Sequence, residues 1–388
     1  MNAKEGTALL KAARKVVSGG RYGECGQVAV KDGQLIVRAE RDDNCMIARI
    51  DGIGEQGCLQ EGQVFALDLA DLGNWLKFVG PVLKNGIGSG ELTITPLTES
   101  ECAVRVYDKE WRLGGRTEGP PSQAEITPEV ELEITADSLR SAFAEVSPCA
   151  AGKDDHRAVL HWLHFAQREG GLYVEAADGF LLAQRRICRM ARIAGTASGE
   201  LPGIDWQFGP MIEELLDLAK LERVKVLIAG DRIRIAGQGF TIDSTAVGRF
   251  PYTEEIIKKD RIGAADALLV DVGEILKALP EAHMQTEFGK LKGTDAVLLY
   301  TDDRATVKVK GVGQDLLGVK WGVYVNGKLL KKILQTSRRD LLQVKWNYKY
   351  PVDGPLHFAD DGDWIGLLMP MQIRDRDGAG IPQRKEGE

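Results

Sequence analysis

An excess of positive charge, paired cysteines, aromatic side chains and long apolar runs are all missing from this chain or scarce in it. Its 388 residues carry 50 Lys and Arg against 57 Asp and Glu, a formal charge of −7. A protein that coats nucleic acid with its whole surface needs a basic excess, so that class is disfavoured; a basic lining confined to one face is still allowed. The longest apolar stretches, such as Ala267 to Val270 and Ile365 to Met371, fall far short of the roughly 20 residues of a spanning helix, so no membrane segment is expected. The first residues, Met1-Asn-Ala-Lys-Glu-Gly, have neither an apolar signal core nor an Arg-rich amphipathic pattern, and the expected location is the cytoplasm. Aromatics make up only 6% of the chain, yet 44% is hydrophobic, enough for two or three domain cores.

Signatures of catalysis are equally thin. Cys25, Cys45, Cys58, Cys102, Cys149 and Cys188 are scattered without a C-x-x-C pair, which reads as six free thiols in a reducing compartment. Neither Cys25 nor Cys149 lies in a nucleophile signature, and G-x-S-x-G and H-E-x-x-H do not occur. Asn85 to Gly90 is glycine-rich but lacks the Lys-Ser/Thr that completes a phosphate loop. His156, His161 and His164 cluster in sequence, but on a strand Trp162 to Phe165 the last two would point to opposite faces and could not share a metal. The acid pairs Asp42-Asp43, Asp154-Asp155, Asp302-Asp303 and Asp360-Asp361 fall in expected turns. The reading is a non-enzyme, with no metal and no cofactor.

What the chain does have is repetition: one order of elements recurs three times at a period of about 130 residues. Each copy opens with an amphipathic helix. Thr7 to Val17 sets Leu9, Leu10, Ala13, Val16 and Val17 on one face. Asp137 to Val146 does so with Leu139, Ala142, Phe143 and Val146, and Val272 to Leu279 with Ile275, Leu276 and Leu279. A hairpin follows each helix: Gln27 to Val30 with Gln34 to Val37, Trp162 to Phe165 with Leu172 to Glu175, and Ala296 to Tyr300 with Thr306 to Val309. Each copy then runs a strand into a second helix: Val64 to Leu67 into Ala70 to Phe78, Asp205 to Phe208 into Pro210 to Leu221, and Val323 to Asn326 into Gly327 to Leu334. Strand pairs close the copies at Leu92 to Thr95 with Ala103 to Val106, Lys225 to Ile228 with Arg232 to Ile235, and Leu342 to Tyr348 with Trp364 to Leu368. The class is α+β, with three repeated domains of two α-β-β units each. The polar stretches at Arg116 to Pro128 and Lys258 to Ala264 mark domains 1–125, 126–262 and 263–373, with 374–388 as a disordered tail.

Four segments carry a resemblance: Asp155-His-Arg157-Ala-Val-Leu160, Gly171 to Ala183 with Asp178-Gly179 at its turn, Gly248-Arg-Phe-Pro251-Tyr, and Leu367-Leu-Met369-Pro370-Met371. In this order, on a threefold repeat, they resemble the bacterial DNA sliding clamp, the beta subunit of DNA polymerase III, over about residues 4 to 373, as a divergent member of that family. The resemblance implies a head-to-tail ring of two chains, with helices lining a central hole and antiparallel sheets outside. Such a ring holds duplex DNA by topology, and its lining needs Lys and Arg that meet phosphates loosely. On that reading Lys11, Arg14, Lys15, Arg21, Arg140, Arg157, Lys277, Lys328, Lys331 and Lys332 face DNA.

The resemblance further implies a hydrophobic groove that takes linear peptides of DNA polymerase and of the clamp loader. Its residues here would be Leu160, Ala177, Gly179, Phe180, Leu181, Leu182, Pro251, Ile256, Pro355, Leu367, Met369, Pro370 and Met371. Phe180 and Leu181 stand where the family usually has a polar pair, Glu255 where a basic residue is common, and Gln372 where Arg is common, so the groove is expected to be greasier and less basic. In the edge strand Glu110 to Leu113, Trp111 and Leu113 match positions that meet the partner's third domain, near His283 and Met284 here, which implies a homodimer. Two readings follow: a processivity clamp of replication, or a clamp-fold paralogue serving as a specialised protein-binding hub.

Overall fold

The computed structural model describes residues 25–31, 34–41, 44–51, 64–68, 92–98, 101–106, 109–117, 126–152, 154–168, 171–189, 200–205, 209, 212, 216, 222–237, 240–245, 249–259, 267–287, 295–302, 306–312, 321–345, 354–360 and 362–371. The expected helices at Thr7 to Val17 and Ala70 to Phe78 lie outside these residues. Of Pro210 to Leu221, only Ile212 and Leu216 are described, both helical and buried.

The chain divides into two compact units. The first comprises Met1–Arg140, Ile193–Ala197 and Leu201–Val247. Its strands are β1 (Cys25–Lys31), β2 (Gln34–Arg41), β3 (Asn44–Asp51), β4 (Val64–Asp68), β5 (Leu92–Pro96), β6 (Glu101–Val106), β7 (Lys109–Thr117) and β8 (Val130–Thr135), with β13 (Arg223–Ala229), β14 (Arg232–Gly237) and β15 (Phe240–Thr245). They form one sheet in the order β5-β6-β7-β4-β1-β2-β3-β15-β14-β13-β8. The pairing of β15 with β3, in register at Phe240↔Ala48 and Ile242↔Met46, carries hydrogen bonding from the first repeat into the second.

The second unit comprises Ser141–Arg192, Ser198–Glu200 and Gly248–Glu388. It holds β9 (Trp162–Arg168), β10 (Gly171–Ala177), β11 (Leu181–Cys188), β16 (Leu268–Asp271), β17 (Ala296–Thr301), β18 (Lys308–Gly311), β19 (Trp321–Asn326), β20 (Leu341–Lys345), β21 (Leu356–Ala359) and β22 (Trp364–Leu368); β12 (Glu200–Asp205) lies at the border between units. Strands run in the order β9-β10-β11-β22-β21-β20-β16, and a second sheet in the order β18-β17-β19. Here too a pairing bridges repeats, as β11 joins β22 at Leu181↔Leu368 and Leu182↔Leu367. The helices are α1 (Ala136–Val146), which spans the border, α2 (Glu254–Lys259), α3 (Val272–Glu287) and α4 (Gly327–Ser337).

Three helices start by one device, a strand whose last residue accepts hydrogen bonds from the first helical turn. Thr135 Oγ1 accepts from Ser138 N at 3.2 Å, Asp271 Oδ1 from Glu274 N at 2.9 Å, and Asn326 Oδ1 from Lys328 N and Leu329 N at 2.9 and 3.1 Å. A short polar side chain there satisfies amides the helix itself leaves without partners. The inward faces are those the periodicity names: Leu139, Ala142, Phe143 and Val146 are buried on α1, and Phe143 meets Phe165 of β9 edge-to-face at 6.2 Å.

The structure amends the sequence reading in two places. Three strands add to those expected, β3 after β1-β2, β11 after β9-β10 and β15 after β13-β14, and all three take part in the pairings between repeats. The α3 helix does not stop at Leu279 but continues through Pro280 to Glu287. Proline removes one amide from a helix, and Pro280 is exposed, so water can take the freed carbonyl. A strand is described at Glu200–Asp205, and of the expected Asp205 to Phe208 only Asp205 lies within the described residues.

Candidate peptide-binding groove

The floor of the site is set by the β11–β22 pairing. Leu182 and Leu367 sit directly opposite one another, where cross-strand side chains touch. They join Ala151, Leu160, Ala177, Phe250 and Ile257 in one buried apolar cluster, with Val159 and Ile365 packed against it. Leu160 comes from a tight turn before β9, held by Leu160 N donating to Arg157 O at 2.9 Å and Ala151 N donating to Leu160 O at 3.0 Å. Above this floor large apolar side chains stay in water: Phe180 is 62% exposed, Tyr252 51%, Ile256 43% and Met369 42%. Pro251 is also exposed, and Pro355 and Pro370 are half-buried. Large apolar side chains left in water beside a well-packed floor offer a surface that a partner can cover.

One wall is a turn organised by Asp178. Its Oδ1 accepts from Phe180 N at 2.9 Å and Leu181 N at 2.7 Å, and Lys332 of α4 reaches Oδ2 at 3.4 Å. The main-chain oxygen of Asp178 accepts from Arg157 Nη2 at 2.8 Å. Gly179 takes φ +92°, a backbone conformation that favours glycine, and a Cβ there would lie 2.5 Å from Arg157 Nη1 and push the guanidinium aside. Phe180 O then accepts from Met369 N at 2.9 Å, tying the turn to the chain after β22. Arg157 is held in turn by Asp155, with contacts of 2.6 and 2.9 Å, and that pairing keeps the Asp155 carboxyl well below the usual carboxylate range.

The other wall, Phe250 to α2, is anchored from beneath by buried polar groups. Phe250 stacks on His164 of β9 at 4.6 Å. Thr253 donates to Glu175 at 2.6 Å and accepts from Arg168 at 3.1 Å, Arg168 meets Glu175 at 3.1 Å, and Gln184 donates to the same carboxylate. Burial pushes the Glu175 carboxyl up, opposed by Arg168, Thr253 and Gln184. Arg168 also lies 5.8 Å from the centre of the Tyr252 ring, within cation–π range.

Most residues named from the sequence thus converge. Met371 is placed elsewhere: it donates its N–H to Tyr324 O and packs against the cluster of Ala296, Leu298, Val312 and Tyr324. Sequence reasoning missed Ala151, Phe250, Ile257, Tyr252 and Asp178 as parts of the site. Asp178-Gly179 and Phe250-Pro251 lie inside the quoted segments, which was the signal available.

The residues assigned to DNA fare unevenly. Lys11, Arg14, Lys15 and Arg21 lie outside the described residues. Arg140 pairs with Asp137 at 2.8 Å, Lys328 with Asp295 at 3.0 Å and Lys332 with Asp178, while Arg157 braces the groove; Lys277 and Lys331 are exposed on α3 and α4. Trp111 and Leu113 belong to β7, and their side chains lie outside the described set. Met284 is exposed, whereas a Cβ on Gly327 would come within 2.6 Å of His283, which therefore sits in the close approach of α3 to α4. Among the described residues no three His, Cys, Asp or Glu side chains gather as a metal site, and no helix is long and apolar enough to cross a membrane.

Solved structures with this architecture are numerous. The DNA polymerase III beta subunit of Thermotoga maritima superposes with a TM-score of 0.71 at 16% identity, over 96% of this chain and 99% of that one. The fold is that of the bacterial DNA sliding clamps. The beta subunit from Pseudomonas aeruginosa matches with a TM-score of 0.70 at 16% identity, covering 96% of this chain and 99% of the other. The Bartonella birtlesii sliding clamp, solved bound to griselimycin, gives 0.71 at 13% identity over 96% and 98%. No protein-family model and no curated protein sequence matches the chain. A clamp fold kept at such low identity is consistent with an architecture carried by pattern more than by individual residues.

Proposed function

We propose that the chain is a DNA sliding clamp, a non-enzymatic ring of two copies that encircles duplex DNA in the cytoplasm and tethers DNA polymerase and the clamp loader through the groove. The ring would be built from three domains per chain, 1–125, 126–262 and 263–373. The observation that carries this reading is the buried apolar floor of Leu160, Leu182 and Leu367 flanked by Phe180, Ile256 and Met369, which stay in water, on a chain with the clamp fold. An extended peptide with apolar anchors would bury those side chains, each contributing on the order of 1.5 to 3 kcal/mol when fully desolvated. Because Phe180 and Met369 face water, Phe180→Ala and Met369→Ala leave the fold alone and should each weaken a labelled polymerase-tail peptide by about tenfold, read by anisotropy.

Encirclement predicts that protein loaded on circular duplex stays until the circle is cut, because topology and not contact energy retains it. Retention unchanged by linearisation would overturn it. A second reading, a clamp-fold hub without a main replicative role, is favoured by one observation. Arg140, Lys328 and Lys332 are each offset by an acid, which leaves less free positive charge for phosphates. Retention that fails on circles while peptide binding persists would select it.

A further inference from the structure

One contact links the helix assigned to DNA with the wall of the groove. Lys332 is on α4 beside exposed Lys331, yet its ammonium reaches across 154 residues of sequence to Asp178 Oδ2. The other oxygen of that carboxylate positions Phe180 and Leu181, whose strand supplies Leu182 to the floor, and the carbonyl of Phe180 holds Met369. Among the described residues, Asp178 both touches α4 and organises the turn of the groove. The two cations around it differ. Arg157 is locked by contacts of 2.6 to 2.9 Å to Asp155, the range of strong charge-assisted bonds. The Lys332 contact is 3.4 Å long, with the lysine side chain 34% exposed and the carboxylate only 16%. The lysine is therefore the exchangeable member, and a phosphate at α4 can compete for it, whereas Asp178 has little water to replace what it loses.

We propose that Lys332 couples DNA occupancy to the peptide groove: phosphates that draw Lys332 away from Asp178 loosen the 178–181 turn and weaken peptide binding. This rests on the clamp reading above and adds its regulation. Coupling between sites is reciprocal, so a bound peptide, by favouring the ordered turn and the Lys332–Asp178 contact, weakens the hold on DNA by the same factor. A partly exposed ion pair supports an effect of about two- to fivefold.

The test titrates a labelled polymerase-tail peptide at low salt, with and without saturating short linear duplex, into the full chain and its Lys332→Met, Lys332→Arg and Lys331→Met forms. Duplex binding is followed by a second label. The expected result is a Kd raised about two- to fivefold by duplex in the unaltered protein, in Lys332→Arg and in Lys331→Met, and unchanged by duplex in Lys332→Met. A duplex effect that survives in Lys332→Met, or that Lys331→Met abolishes equally, overturns the proposal. So does a peptide Kd indifferent to duplex when both ligands bind. Absence of peptide binding in every form, with duplex bound, overturns the groove reading itself and this proposal with it, a failure distinct from the others because no Kd exists to compare.

Discussion

The strands β8 and β13 at one edge of the first unit and the strands β9 to β11 of the second show two ways of using charge in a sheet. In β8 every second residue is buried, Val130, Leu132 and Ile134, and the residues between face water. There Lys225 meets Glu131 at 2.6 Å and Arg223 meets Glu133 at 3.9 Å, with all four side chains at least half exposed. In β9 six successive residues, Trp162 to Gln167, are buried, so both faces are covered. His164 and Gln167 in β9, Glu175 in β10 and Gln184 in β11 have no solvent to fall back on. A solvated face tolerates any pairing, whereas a covered one needs a partner for each polar group. In the second unit the partners of Glu175 are Arg168, Gln184 and Thr253, the last of them in the groove wall. The buried polarity and the site therefore occur together for one reason, as the network fixes the wall that the groove needs.

Three substitutions would sharpen that contrast. The largest effect is expected for Arg168→Met, which leaves Glu175 buried without its cation. Breaking one partner of such a pair costs about 3–5 kcal/mol, measurable as a shift of the urea midpoint, and Phe250 to Thr253 should lose order with it. An intermediate effect is expected at Asp360. Burial acts to raise its pKa, but amides of Trp364, Gly362 and Asp363, together with Arg339, hold the carboxyl below its ordinary value. A carboxyl depressed on folding stabilises above its unfolded pKa, and that contribution is lost as pH falls through the lower, folded value. Asp360→Asn should therefore lower stability at neutral pH and flatten the acid limb of a stability-against-pH curve. The smallest is Lys225→Ala, where the pair lies in water, so the loss should be close to the limit of measurement and should respond to salt. A Lys225→Ala loss as large as that of Arg168→Met would dissolve the contrast.

The legibility of the sequence follows the same division. The expected strand Trp364 to Leu368 matches to the residue and α1 differs by one residue at its start, the first because a short apolar run follows the polar Asp360 to Asp363 and the second because its apolar positions repeat at the helical period. The strand Leu181–Cys188 was not read as a strand: Gln184-Arg185-Arg186 breaks any apolar pattern. Its charges are answered only in three dimensions, Arg185 by Glu145 and Asp360 at 3.4 Å each, and Arg186 by Asp363. Of the groove, Leu160, Leu182 and Leu367 were legible through the quoted segments, while Ala151 and Ile257 have no local feature that separates them from ordinary core.

By itself the sequence determined the inward face of α1, the start of α3 with Ile275 and Leu279 turned inward, and the glycine at 179. Each depends on residues within a few positions of one another, where propensity and periodicity act. The tertiary structure alone decided that β15 would pair with β3 and β11 with β22, that Met371 would leave the groove for the Tyr324 cluster, and that Lys332 would face Asp178. Those outcomes turn on which distant surfaces exclude water together. The free energy of such burial belongs to pairs of segments far apart in the chain, and no window along the sequence contains both.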